Sequence, residues 1–104
     1  MTDFVTVLTT VATEAVAKAL ARALVERKLA ACVQRLQISS CYAWDGAIRD
    51  EPEILLLIKT RRALYPPLEA AIRELHAYTT PEIIALPVVA GSQPYLDWLA
   101  ETTC

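Results

Sequence analysis

The residues best equipped for chemistry lie in one short run, His76-Ala77-Tyr78-Thr79-Thr80-Pro81-Glu82-Ile83, where the chain's only histidine stands near a phenol and a carboxylate. The run falls where a helix pattern gives way to a strand pattern. Such a junction leaves helix carbonyls unpaired and frees side chains from packing, so it can offer an imidazole and a carboxylate to a shared cleft. Adding Cys32 gives the set Cys32, His76 and Glu82, a thiolate, an imidazole and a carboxylate, which are donors suited to copper or zinc. Spacing alone does not specify a metal, because the sequence has no CxxC, no HxxxH and no closed four-ligand set. Each residue also has a plain structural reading: Cys32 as a packed small hydrophobe, His76 as a helix cap, Glu82 as a rim carboxylate.

Tyr42, Trp44 and Tyr78 are rings with polar tips, which suit a subunit interface as readily as a ligand pocket, and interface is the reading favoured for Trp44. Lys59 ends an apolar run and either snorkels to water or meets Glu82 as an ion pair. A Cys32 nucleophile with His76 as base lacks a third orienting group and an oxyanion-hole loop. Only Gly46 and Gly91 are present, so there is no glycine-rich phosphate cradle, and no catalytic residue is assigned.

The elements that position these groups follow from periodicity. Phe4 to Thr10 is β-branched and apolar, as in a strand covered on both faces. From the N-cap Thr13, Val16, Leu20 and Leu24 recur at helical spacing for about 16 residues. Leu29 to Ile38 alternates, with Cys32, Gln34, Leu36 and Ile38 on one face. After Cys41 to Trp44, Asp45-Gly46 predicts a tight hairpin that returns through Ala47 to Arg49 into the apolar strand Glu53 to Thr60. Leu64, Leu68, Ile72 and Leu75 mark a second helix with Pro66 and Pro67 in its first turn. Glu82 to Ala90 reads as a strand that Pro87 confines to an edge or a bulge. Ser92 and Pro94 start a short terminal helix. The order is the split βαβ of an α+β, ferredoxin-like βαββαβ sandwich with an extra C-terminal helix.

The 104 residues read as a single domain, 1–104. With 55% hydrophobic residues, 21% charged residues and a mean hydropathy of +0.34, the chain is apolar for its size. Two helices cover one sheet face only, so oligomerisation through the other is expected. Net charge is -2 and the ten basic residues are scattered, apart from Lys59, Arg61 and Arg62, which argues against nucleic acid as a partner. No secretory signal or membrane-spanning run is visible, and three irregularly spaced cysteines fit reduced thiols, so a soluble cytoplasmic protein is expected.

Several segments together resemble the CutA family of divalent-ion (copper) tolerance proteins. They are Thr9-Thr10, Leu24-Val25-Glu26, Leu29-Ala30-Ala31-Cys32-Val33, Ser40-Cys41-Tyr42-Ala43-Trp44-Asp45-Gly46, Glu53 to Thr60, His76 to Ile83, and Tyr95-Leu96-Asp97-Trp98. The resemblance implies a ferredoxin-like subunit, similar to PII signalling proteins, assembled as a homotrimer. It also implies binding of copper or another divalent cation such as zinc near intersubunit clefts, with Cys32, His76 and Glu82 at matching positions and Tyr42, Trp44, Lys59 and Tyr78 lining the cleft. No cofactor is expected to be obligatory. Gln34-Arg35 and Thr79 depart from the family's usual asparagine with an apolar residue and its usual acidic residue. The leading expectation is thus a trimeric metal-binding protein of the cytoplasm, not an enzyme. The alternatives are a PII-like sensor or adaptor whose Lys59, Arg61 and Arg62 receive an anionic ligand, and a trimer with a purely structural cleft.

Overall fold

In a computed structural model, described for residues 2–104, the elements run β1 (Phe4–Val11), α1 (Glu14–Glu26), β2 (Cys32–Trp44), β3 (Ala47–Arg61), a short 3-10 turn (Arg62–Leu64), α2 (Tyr65–Leu75), β4 (Ile84–Pro87) and α3 (Gln93–Thr102). The four strands form one antiparallel sheet in the order β2-β3-β1-β4. This is the expected ferredoxin-like α+β arrangement.

Local chemistry accounts for most boundaries. Thr13 caps α1, its hydroxyl accepting from the Val16 amide at 3.3 Å. That helix ends at Glu26, earlier than the periodicity suggests, because Lys28 turns left-handed at φ 59° and the Leu29 amide folds back onto the Leu24 carbonyl. Asp45 and Gly46 both take positive φ, 52° and 76°, the backbone of a two-residue hairpin whose twist matches its strands. With that turn set, β2 and β3 pair without a break from Trp44↔Ala47 to Cys32↔Lys59. Two strand segments expected on each side of the turn are therefore one long strand apiece, Pro52 included. β4 is shorter than the predicted Glu82 to Ala90, and Pro87 lies in a strand at the sheet edge, where a missing amide hydrogen costs no ladder bond.

The core lies between one sheet face and α1 with α2. Val5, Val7, Val11, Ile54, Leu56 and Ile58 project onto Leu20, Leu24, Leu68 and Ile72, all in one buried cluster. Thr9 points into the same layer, wholly buried, and its hydroxyl finds no partner among the described residues. A buried hydroxyl without a hydrogen bond costs about 1 to 3 kcal/mol. Replacing it with the isosteric valine is expected to raise unfolding stability by about 1 kcal/mol, read as a higher denaturant midpoint at unchanged slope. An unchanged or lower midpoint would show that the hydroxyl is satisfied in solution.

The opposite face is only partly sheltered. α3 crosses one end, packing Leu96 and Leu99 on Phe4 and Ala31, and Arg61 ties it down by donating to the Thr103 hydroxyl at 3.0 Å. Beyond α3, register sets Leu57, Leu8 and Ile84 in a row across three strands, beside the pair Leu36 and Leu55. Leu36, Ile84 and Leu86 are exposed, at 49%, 49% and 46% of their surface. This is the uncovered apolar face that the composition anticipates.

Candidate functional site

β1 ends at Val11, opposite Ile54, whereas the β2–β3 hairpin runs on alone to its turn. The hairpin therefore projects beyond the sheet body, and the loop after α2 folds back beside its base. Between them lies a cleft of about 650 Å³, lined by Thr10, Ser40, Tyr42, Trp44, Arg49, Glu51, Glu53 and residues 77–80 with Glu82.

Cross-strand pairing explains which hairpin groups share it. Tyr42 stands opposite Arg49 and Ser40 opposite Glu51, so these side chains lie on one face, with Trp44 and Glu53 in the same alternation. The Tyr42 hydroxyl donates to Glu51 Oε1 at 2.6 Å, and the Tyr78 hydroxyl donates to Glu53 Oε2 at 3.0 Å. Glu53 is buried to 8% exposure, whereas Trp44 keeps 48%.

His76 caps the end of α2, but it bonds away from that helix. Its Nε2 lies 2.7 Å from the Thr10 carbonyl and its Nδ1 lies 3.0 Å from the Tyr78 amide nitrogen. A carbonyl only accepts and an amide only donates, so the ring is the neutral Nε2–H tautomer with its one lone pair committed to Tyr78. The imidazole pins the loop to β1 and meets the Tyr78 ring at 4.7 Å between centroids, tilted by 50°. This fixes the phenol over Glu53.

Electrostatics follow the geometry. Burial pushes the Tyr78 phenol up to about 12, with the bond to Glu53 the next cause. Tyr42 is raised by its bond to Glu51, and Tyr65, outside the cleft, by burial and then by Glu69. A phenol raised in the folded chain favours folding below the usual tyrosine range near pH 10, and that contribution is lost as pH climbs toward 12. In a spectrophotometric titration of the folded protein, most of the tyrosinate absorbance is expected to appear above pH 10, and Tyr78→Phe should remove the latest component. Ionisation of all four tyrosines together near the free value would contradict these contacts.

The sequence-predicted residues divide into two groups. Tyr42, Trp44, Tyr78 and Glu82 meet at the cleft, with His76 behind its loop. Cys32 and Lys59 face each other across β2 and β3, while Thr10, the partner of His76, belongs to the row of Leu55 and Leu36. Leu36 lies four positions along β2 from Cys32, about 13 Å along a strand. Lys59 lies over the Tyr95 ring of α3 at 5.6 Å, and among the described residues it makes no ion pair with Glu82. Among the described residues no three or more histidine, cysteine, aspartate or glutamate side chains are grouped closely enough to hold a metal ion.

Against known proteins, the description of the CutA1 divalent ion tolerance protein family matches residues 5–102. The chain belongs to the CutA1 family. It is 48% identical over 98 residues to the divalent-cation tolerance protein CutA of Thermus thermophilus, covering 93% of this chain and 95% of that one. The solved structure of a divalent cation tolerance protein from Thermus thermophilus superposes with a TM-score of 0.93, covering 97% of this chain and 99% of that one at 46% identity. Human protein CutA is 47% identical over 91 residues, covering 86% of this chain but 51% of the human protein, so the chain spans about half of that relative. The CutA1 fold is thus shared in full.

Three cleft residues, Arg49, Glu51 and Glu53, were not singled out by sequence reasoning. The signal was present in the Asp45-Gly46 turn, because a two-residue hairpin dictates which residues face each other on both strands.

Proposed function

We propose that this CutA1 chain acts as a cytoplasmic homotrimer that binds copper or a similar divalent cation in metal-ion tolerance, by binding and without turnover. The family description, divalent ion tolerance, is the observation that carries the reading. The uncovered face of Leu8, Leu36, Leu55, Leu57 and Ile84 supports assembly, since an apolar sheet face of this extent is stabilised when another chain covers it. Free thiols at Cys32, Cys41 and Cys104 support a reducing compartment. Among the described residues no helix is long and apolar enough to cross a membrane.

Within one chain Cys32, His76 and Glu82 do not fit a single metal: Cys32 is at the far end of the strand, and the His76 Nδ1 lone pair already accepts from the Tyr78 amide. A shared site therefore takes donors from neighbouring subunits, and His76 must release Tyr78 to join it. The anion-sensor alternative gains nothing, because Arg61 and Lys59 turn to α3 and the cleft is rich in carboxylates.

Equilibrium dialysis against Cu(II) tests the reading with wild type, Cys32→Ala, His76→Ala and Glu82→Gln. Saturable binding that weakens about tenfold or more with loss of each ligand is expected. Binding indifferent to all three substitutions would remove these residues as ligands.

A further inference from the structure

The cleft's carboxylates and rings point to a ligand class that the metal reading does not use. Glu51, Glu53 and Glu82 line one cavity, and none has a Lys, Arg or His nitrogen within ion-pair distance among the described residues. Arg49, on the same cleft, also makes no ion pair there. Glu53 is more than nine-tenths buried; one of its oxygens accepts from Tyr78, and the other accepts from no protein group among the described residues and is left to solvent. A buried carboxylate lacking a cation is costly, and a positively charged ligand would relieve that cost.

The dimensions discriminate between kinds of cation. The carboxylates are not grouped tightly enough to share one metal ion, yet they border about 650 Å³ together with Tyr42, Trp44 and Tyr78. Glu51 and Glu53 stand two residues apart on β3, about 7 Å along a strand. Both tyrosine hydroxyls are spent as donors to these acids, so neither ring offers a further donor to the remaining carboxylate oxygens. Ammonium groups supply three donors each, methylene chains pack on ring faces, and aromatic faces attract cations.

We infer that the cleft between the β2–β3 hairpin and the loop after α2 binds an organic diammonium ligand, its ammonium groups on Glu51 and Glu53 and its carbon chain against Trp44, Tyr42 and Tyr78. The inference does not rest on copper binding.

Isothermal titration of the metal-free protein with 1,4-diaminobutane tests it, with n-butanol as the uncharged control, and with copper titrated separately because diamines chelate it. The expected result is saturable binding at one site per chain, quenching of Trp44 fluorescence, and about a tenfold or greater loss of affinity in Glu53→Gln and in Glu51→Gln. Glu26→Gln, an exposed carboxylate on α1 outside the cleft, leaves diamine affinity unchanged. Should Glu53→Gln fail to fold, Glu51→Gln and Trp44→Leu carry the same comparison from exposed positions. Absence of saturable binding, or equal affinity in wild type and the glutamine variants, overturns the inference. Copper binding that persists in that case leaves the metal reading standing.

Discussion

Replacing Leu56 by alanine is expected to lower folding stability by about 3 to 4 kcal/mol, measured as a denaturant midpoint shift at fixed protein concentration. Leu56 is wholly buried on β3, between β2 and β1, in the layer packed by α1 and α2. Strands on both sides hold the backbone in place, so the neighbours cannot collapse fully into the space, and a cavity adds to the lost burial. A loss near 1 kcal/mol would mean that the helices move in to refill the layer, and the core would be softer than its packing indicates.

One pair of strand positions away, the expected outcome reverses in kind. Leu36→Asp should leave the helix-side core intact, because Leu36 lies on the other face and keeps 49% of its surface exposed. Circular dichroism should therefore stay unchanged. What fails is association: each interface would have to bury a carboxylate among leucines with no cation to meet it, which costs several kcal/mol per copy. Sedimentation should find the variant as single chains where the wild type is assembled. A variant that assembles like the wild type would show that this face is not the contact surface.

The fold was legible because its elements carry strong local signals. The α1 periodicity with Thr13, the Asp45-Gly46 turn and the continuous apolar run of β3 each admit one reading, and together they leave the ferredoxin-like order. Lengths were harder to read. Ser39 and Ser40 look like a loop, and Pro52 looks like a break, yet the two face each other as Ser39↔Pro52 and Ser40↔Glu51 inside a single ribbon, where solvent on both sides tolerates weak strand formers.

The site was partly legible for a different reason. Residue types drew attention to His76, Tyr78, Tyr42, Trp44 and Glu82, but types do not reveal which hydrogen bond a side chain has already made. The histidine proves to be a tether for the loop through Thr10 and Tyr78. Glu53, which looks like the ordinary charged start of a strand, is the buried carboxylate beneath Tyr78 because the projecting hairpin and the returning loop enclose it. Lys59, read as either snorkelling to water or pairing with Glu82, is drawn to Tyr95 because α3 crosses that end of the sheet. Such long-range placements depend on how the loop and α3 fold back, which local sequence does not encode.

The account depends on the uncovered sheet face being sheltered by other copies of the chain, and light scattering on the wild-type protein at micromolar concentration measures this directly. The predicted molar mass is close to three times the 11.5 kDa of one chain and holds on dilution. A well-folded species of 11.5 kDa at that concentration would contradict it.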